Sequence, residues 1–354
     1  MRIAQVCHSY HPCIGGVETN VKEISERLAT GHDISVLTTD PSGKLPREET
    51  INSVSVRRFK SWAPNGAYYF SKGLKRYLIE NSKDYDIVHA HNYHALPALY
   101  AAQAKDSNKL VFTTHYHGGG HTLFRSLLHI PYKYLAKKIF EKADRVVCVS
   151  NYEKSLIMKN FKLDAKKVVI IQNGVDMKEF EGFQKKRGGE KVILCVARLE
   201  KYKGVQYLIQ ALTRLSQDVV LEVVGEGPHK ESLVRLTRKL GVESRVKFFQ
   251  DLPRKDLLQK YTRADLFVLL SKYEAFAISI AEALAARTPC IVANTSALTE
   301  WVDGRNCFGI EYPVDVDELG NLVRNVIAKD VGKLKLYDWE YTARELMKIY
   351  EEFS

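Results

Sequence analysis

Glu274 and Glu282, with seven residues between them, stand in the stretch of the chain best suited to chemistry. Glu274 follows the apolar run Leu266–Leu270, and Glu282 lies in a helix-prone, alanine-rich segment that leads to a second apolar run, Cys290–Ala293. The pattern predicts strand, loop, helix and strand. In parallel α/β sheets, ligands bind beyond the carboxyl ends of the strands, where helix N-termini offer free N–H groups to anions. The two glutamates therefore flank a candidate ligand site; the alternative is two carboxylates on a solvated helix face. Arg198 and Lys203 lie between a predicted strand, Val192–Val196, and a predicted helix, Val205–Leu215. Two fixed cations at a helix N-terminus suit a diphosphate and would stabilise charge developing on a phosphate leaving group. Gly15 and Gly16 precede another predicted helix, Val17–Leu28, where glycine lets backbone approach a bulky anion or simply shapes a tight turn.

Histidines form a further cluster. Eight of the eleven, His8, His11, His89, His91, His94, His115, His117 and His121, fall at or just beyond the ends of three predicted strands. His89-x-His91 and His115-x-His117 offer paired imidazoles of the kind a metal takes. No carboxylate motif accompanies them, and strand-end spacing alone brings such residues to one edge, so no metal is expected. Gly225-Glu-Gly-Pro228 follows a predicted strand, Val219–Gly227, but lacks the third glycine of a dinucleotide-binding G-x-G-x-x-G, which argues against a nicotinamide dehydrogenase.

The elements that must position these residues alternate. Strands are predicted at Arg2–Tyr10, Asp33–Thr39, Val54–Phe59, Asp86–His91, Lys109–His115 and Arg145–Ser150. Helices are predicted at Ala67–Glu80, about 95–104 and about 121–142, the last interrupted at Pro131. Such βα alternation predicts doubly wound parallel sheets. Asn173-Gly174 is a turn signal and 179–190 is polar, so a boundary is expected there. The organisation expected is a first domain over 1–174, a second over 175–336 and an amphipathic terminal helix within 337–354.

Composition fits a folded two-domain chain: 354 residues, 45% hydrophobic and 27% charged. No run is long and apolar enough to span a membrane and no leader-like apolar segment opens the chain, so a cytosolic protein is expected. The six cysteines are scattered, with no C-x2-C pair, and suit buried positions in a reducing compartment. Charge is uneven: residues 1–172 hold 25 Lys and Arg against 15 Asp and Glu, whereas residues 173–354 hold 28 against 27. This asymmetry points to an anionic partner for the first half, a membrane surface or an acidic acceptor, or else only to solubility. Leu123–Lys142, with Arg125, Lys133, Lys137, Lys138 and Lys142, could lie on anionic headgroups, or could pack its apolar face on the sheet with the lysines in water.

Glu274-x7-Glu282 with Phe276 between them resembles the signature of the retaining nucleotide-sugar glycosyltransferases of family 4, which have the GT-B architecture. The resemblance extends in order along the chain: Gly15-Gly-Val-Glu18, His115 closing Val-Phe-Thr-Thr-His, Asn173-Gly-Val-Asp176 at the hinge, Arg198 with Lys203, and Glu300 with Gly304. It implies two Rossmann-like doubly wound parallel-sheet domains facing a central cleft, with the terminal helix crossing back to the first. It implies transfer of a sugar from a nucleotide diphospho-sugar to an acceptor hydroxyl with retention. Arg198 and Lys203 would hold the diphosphate above the Gly15–Gly16 loop, and Glu282 the ribose hydroxyls. Glu274, with the backbone of Phe276, Ala277 and Ile278, would hold the sugar or phosphates, and His115 would contact the transferred sugar. No metal, no cofactor and no nucleic-acid partner are implied. The basic first half favours a lipid-linked acceptor at the inner face of a membrane. Two other functions share this scaffold, a catalytically silent nucleotide- or carbohydrate-binding protein and a sugar-nucleotide epimerase. Where the family carries E-G-F-G, this chain has Ala275 and Ala277, so backbone geometry there decides whether the loop keeps its shape.

Overall fold

The computed structural model of the chain describes residues 1–118, 123–183, 189–333 and 335–353, the side chains of 65 and 123–131 excepted. It divides into two compact units, one of Met1–Asn173 with Trp339–Ser354 and one of Gly174–Asp338.

In the first unit the described strands are β1 (Arg2–Val6), β2 (Asp33–Asp40), β3 (Glu48–Ile51), β4 (Val54–Lys60), β5 (Ile87–His91), β6 (Lys109–Thr113), β7 (Arg145–Cys148) and β8 (Val168–Ile170). Helices α1 (Gly16–Leu28), α2 (Lys72–Asn81), α3 (Leu96–Gln103), α4 (Leu123–Lys142) and α5 (Asn151–Phe161) connect them. The sheet order is β3-β4-β2-β1-β5-β6-β7-β8, parallel throughout except for β3 against β4. Parallel strands are covered on both faces and so read as continuous apolar runs. One face packs Val6, Val88, Leu110 and Phe112 against helical residues such as Leu74, Leu99 and Phe140. The other packs Ile3, Val36, Ile87 and Val111 against Val21 and Ile24 of α1.

The second unit holds β9 (Lys191–Val196), β10 (Val219–Val224), β11 (Val246–Phe249), β12 (Leu266–Leu269), β13 (Cys290–Ala293) and β14 (Cys307–Ile310) in the order β11-β10-β9-β12-β13-β14, all parallel. Its helices are α6 (Val205–Ala211), α7 (Lys230–Lys239), α8 (Arg254–Arg263), α9 (Ile278–Ala285) and α10 (Val316–Val326). The last helix, α11 (Trp339–Glu351), belongs to the first unit. Ala343, Leu346, Ile349 and Tyr350 join the core beside α1, and Arg27 Nε meets the Glu340 carboxylate at 2.9 Å.

Several elements depart from the periodicity. The helix expected from Ala67 starts at Lys72, because Tyr68 and Tyr69 take left-handed backbone and Ser71 accepts from the Leu74 N–H as the N-cap. No strand was expected at Glu48–Ile51; the turn at Asn52 and Ser53, both with positive φ, folds it onto β4. The interruption expected at Pro131 is not present: α4 runs from Leu123 to Lys142 as one helix. A proline removes one donor, and the turns beyond it are anchored by buried Ala136, Ile139 and Phe140. Gly119, Gly120, His121 and linker residues 184–188 lie outside the described residues, as does the Arg125 side chain. No described helix is long and apolar enough to cross a membrane. Five cysteines are buried and Cys13 is exposed, all of them free.

Candidate functional site

In each sheet the strand order reverses direction once, between β1 and β5 in the first and between β9 and β12 in the second. Loops leaving neighbouring strands part at such a switch point and open a crevice. Gly15 and Gly16 follow β1, Arg198 and Lys203 follow β9, and Glu274 follows β12.

In the second unit, the loop after β9 carries Arg198 and Lys203 and the loop after β12 carries Glu274. The two loops are stitched together, with the Lys272 N–H donating to the Tyr202 carbonyl at 2.8 Å. Gly204 makes the approach feasible: its φ is +78°, and a Cβ there would lie 2.3 Å from the Leu270 carbonyl oxygen. Lys203 Nζ reaches Glu274 Oε1 at 2.6 Å, each side chain only 14% exposed. Burial pulls the Lys203 ammonium down, but the Glu274 carboxylate outweighs it and holds the pKa above the ordinary lysine value. Arg198 instead points outward, 57% exposed, with Glu200 its carboxylate neighbour at 3.7 Å.

Gly225 and Gly227 support this loop from the next strand. A Cβ on either would come within 2.0 Å of the Ala197 oxygen or 2.4 Å of the Leu199 oxygen. The Leu199 N–H donates to Glu226 O at 2.8 Å and the His229 N–H to Leu199 O at 2.9 Å. These glycines serve close backbone packing, which a two-glycine turn satisfies without the third of a dinucleotide motif.

The loop into α9 is equally fixed. The Glu274 N–H donates to Ser296 Oγ at 3.0 Å, and Trp301 Nε1 donates to the Phe276 carbonyl at 2.7 Å with its ring 5.1 Å from that of Phe276. Ala277, the N-cap of α9, adopts φ 75°, ψ 77° and gives the helix no side-chain cap. Alanine thus holds the left-handed backbone that glycine favours, whereas Ala275 has no positive φ. Ile278 opens α9.

Glu282 has a different partner from Glu274. Its side chain is 9% exposed and pairs with Arg254 Nη1, at the start of α8. Arg254 Nη2 also donates to Glu179 Oε2 at 2.6 Å. Burial would lower the Arg254 guanidinium, but the two carboxylates raise it. Fully buried Tyr261 faces the same carboxylate, its phenol pushed well up by burial and then by the charge of Glu282. Sequence reasoning passed over Arg254, one arginine after Pro253 in a polar helix.

In the first unit, His115 follows β6 with φ 46° and is 8% exposed. Its ring is stacked toward that of His91, with centroids 6.0 Å and planes 26° apart. Burial and then the charge of His8 hold its pKa at about 4, so the imidazole is neutral near pH 7, and its Nε2 has no hydrogen-bond partner among the described residues. Behind it sits another residue that sequence reasoning missed, the fully buried Glu153. Thr114 Oγ1 and the Tyr116 N–H donate to its Oε1, and the Val149 N–H to its Oε2 at 2.6 Å. Glu153 therefore clamps the turn on both sides of His115. The signal available was Ser150-x-x-Glu153, a capping box whose serine does cap α5.

Glu18 explains the first of the paired glycines. A Cβ on Gly15 would lie 2.4 Å from Glu18 Oε2, whereas one on Gly16 meets open space. His8 Nε2 is 3.2 Å from Glu18 Oε1; burial pushes this carboxyl up, and His8 outweighs that and brings it below the usual range. The other histidine pair is occupied within the protein: His89 meets the Tyr350 hydroxyl at 2.5 Å and Thr113 Oγ1 at 2.7 Å, and His91 Nε2 meets Gln5 Oε1 at 2.7 Å. At the expected hinge, Asn173 Oδ1 accepts from Asn20 Nδ2 at 2.7 Å.

The fold is shared with solved sugar-transferring enzymes. Sucrose-phosphate synthase from Thermosynechococcus elongatus is similar over 99% of this chain and 98% of its own, with a TM-score of 0.82 at 21% identity. Anabaena HepE, solved with UDP and glucose, is similar over 99% and 100%, with a TM-score of 0.80 at 19% identity. Two parallel-sheet α/β units with this likeness define the GT-B fold. Residues 14–179 match the profile described as Glycosyltransferase Family 4, and residues 176–345 that of Glycosyl transferases group 1. An uncharacterized glycosyltransferase of Methanocaldococcus jannaschii is 29% identical over 395 residues, covering 99% of this chain and 98% of the relative. The chain belongs to the group 1 glycosyltransferases of family 4.

Proposed function

We propose that this glycosyltransferase is a retaining, nucleotide-sugar-dependent enzyme that binds its donor on the second unit and its acceptor on the first. The observation that carries the reading is the Lys203–Glu274 pair at the switch point of the second sheet, beside the α9 N-terminus, which has no side-chain cap. An incoming diphosphate would compete with Glu274 for Lys203, recruit the outward-facing Arg198 and meet the free N–H groups at Ala277 and Ile278. Glu282 would accept the ribose hydroxyls and Glu274, once released, a sugar hydroxyl. Anabaena HepE has also been solved in complex with UDP-glucose, in keeping with such a substrate.

In the reaction the bond between the anomeric carbon and the phosphate oxygen breaks while the acceptor oxygen bonds to the same face. The acceptor proton passes to the leaving phosphate oxygen. Arg198 and Lys203 neutralise charge growing on that phosphate, so the reading needs no metal and no cofactor. His115, neutral at pH 7, would hydrogen-bond the transferred sugar without adding charge that repels the developing oxocarbenium. Lysines on α4 and the charge bias of the first half support an acidic or lipid-linked acceptor at the inner face of a membrane.

A thermal-shift panel of UDP, ADP, GDP and their glucose conjugates tests the donor site, repeated with Lys203→Ala and Glu282→Ala. Stabilisation by one base, lost in both variants, is expected; no stabilisation by any would overturn the assignment. Proton NMR of the product anomer then tests retention. Release of nucleoside diphosphate separates a transferase from a silent binding protein, and donor conversion without acceptor would reveal an epimerase.

A further inference from the structure

We propose that Arg254 is a positioning residue for donor recognition, fixing the Glu282 carboxylate in the orientation in which it accepts the ribose hydroxyls of a nucleoside diphosphate. The inference rests on the reading of the second unit as the donor site. At 9% exposure the Glu282 side chain has little water to solvate or orient it. Arg254 Nη1 takes Oε1, and a carboxylate has about four lone-pair directions, so capacity for hydroxyl donors remains. A guanidinium is a planar fork whose donors point in fixed directions, unlike an ammonium.

Arg254 is itself held. Its Nε lies 3.2 Å from both oxygens of Glu179, and its Nη2 lies 2.6 Å from Oε2. Glu179 sits in the short turn Met177–Phe180, Arg254 at the first position of α8 and Glu282 within α9. Three segments thus converge on one guanidinium, with Tyr261 buried against the inner carboxylate. Had the arginine served only to neutralise Glu282, one contact would suffice. The grip on Glu179 instead fixes the plane of the fork, and with it the plane of the carboxylate that a ribose would meet. Lys203, by contrast, has a carboxylate partner in Glu274 that a diphosphate can replace. The Arg254–Glu282 contact must persist when donor binds, because the ribose would use what the guanidinium leaves.

The test is calorimetric titration of the full-length wild type, Arg254→Gln, Arg254→Lys and Glu282→Gln with UDP, ADP and GDP and their 2′,3′-dideoxy counterparts. The wild type is expected to prefer one ribose form over its dideoxy counterpart by roughly ten- to a hundredfold, the size of one or two hydrogen bonds to a charged acceptor. In Arg254→Gln and Glu282→Gln that preference should shrink to within about threefold while affinity for the dideoxy form stays near wild type, because the variant and the lost hydroxyls remove the same interaction. Arg254→Lys, which keeps the charge and is the safer variant for folding, should recover the preference in part. A preference lost in Glu282→Gln but kept in Arg254→Gln and Arg254→Lys would overturn the inference alone. Equal weakening of ribose and dideoxy forms in both Arg254 variants would overturn it as well, showing a structural tie. A wild type that binds no nucleoside diphosphate would overturn the donor-site reading and this inference with it.

Discussion

Ala277→Gly should make the protein more stable, although it deletes a methyl group beside the candidate donor site. Ala277 holds φ 75° and ψ 77°. For an alanine the left-handed region costs roughly 1–2 kcal/mol, which glycine does not incur. Against this, glycine loses more backbone freedom on folding, roughly 0.5–1 kcal/mol relative to alanine. The balance is a stabilisation of about 0.5–1 kcal/mol, and for a unit of this size that corresponds to a rise in midpoint of roughly 1–4 °C. Ala275→Gly is the matched control: that residue has no positive φ, so only the entropy term acts and the variant should fall below wild type by a similar amount. Calorimetric or fluorescence-detected thermal unfolding of the three proteins, all without ligand, reads the difference directly. Equal shifts of the same sign in both variants would refute the reasoning, since they would show that backbone conformation at 277 is not what distinguishes the positions.

Gly204→Ala should go the other way, losing about 2–4 kcal/mol in urea unfolding, because φ is +78° and the new methyl would meet the Leu270 carbonyl at 2.3 Å. Glu153→Gln replaces a buried acceptor of three donors with an amide that has one oxygen, and should cost about 1.5–3 kcal/mol and lower kcat through the loosened His115 turn; unchanged stability by urea titration would dismiss the clamp. Acid should destabilise the fold before carboxylates titrate. His89 and His115 are held at about 3 and about 4, and His91 well below its ordinary 6.5, each chiefly by burial. As pH falls through 6.5 the unfolded chain takes up protons that the folded chain refuses, so stability drops by up to roughly 1.4 kcal/mol per pH unit for each of them, down to the folded values. Urea midpoints at pH 7.5, 6.5 and 5.5 should decline mainly across the last interval; a flat profile would mean these histidines are protonated in the fold.

The alternation of apolar runs with helical periodicity was enough to read the two doubly wound sheets, since parallel strands buried on both faces leave a strong linear signal. What stayed hidden depends on contacts between distant segments. Glu153 is a charged residue in a helix, which by pattern belongs on the surface; only the arrival of Thr114 and the Tyr116 amide makes it a buried acceptor. Arg254 and Glu179 are 75 positions apart and carry no mutual signature. Tyr68 and Tyr69 sat in a window that reads as helix, and no side-chain pattern announces two successive left-handed residues. The alanine at 277 is the same case in reverse, because sequence shows that glycine is replaced and only φ shows that its conformation is kept. Conversely, the paired cations Arg198 and Lys203 and the paired glycines Gly15 and Gly16 were legible as pairs, yet within each pair the two members differ: Lys203 is buried on Glu274 while Arg198 is largely exposed beside Glu200, and Gly15 lies against Glu18 while Gly16 meets open space.

The tie between α11 and β5 bears on the order in which this chain can be made. Tyr350 supplies the hydroxyl that meets buried His89 and lies 3.4 Å from Gln5 Nε2, while Leu346 and Ile349 complete the apolar face under β1. During translation these residues emerge only after the whole of 174–338, so the first sheet waits with one face covered by α1 alone and His89 holding only its bond to Thr113, while the later, contiguous unit is already long enough to fold. Of the two units the one synthesised earlier is thereby completed later, and until α11 arrives part of its apolar face stays exposed.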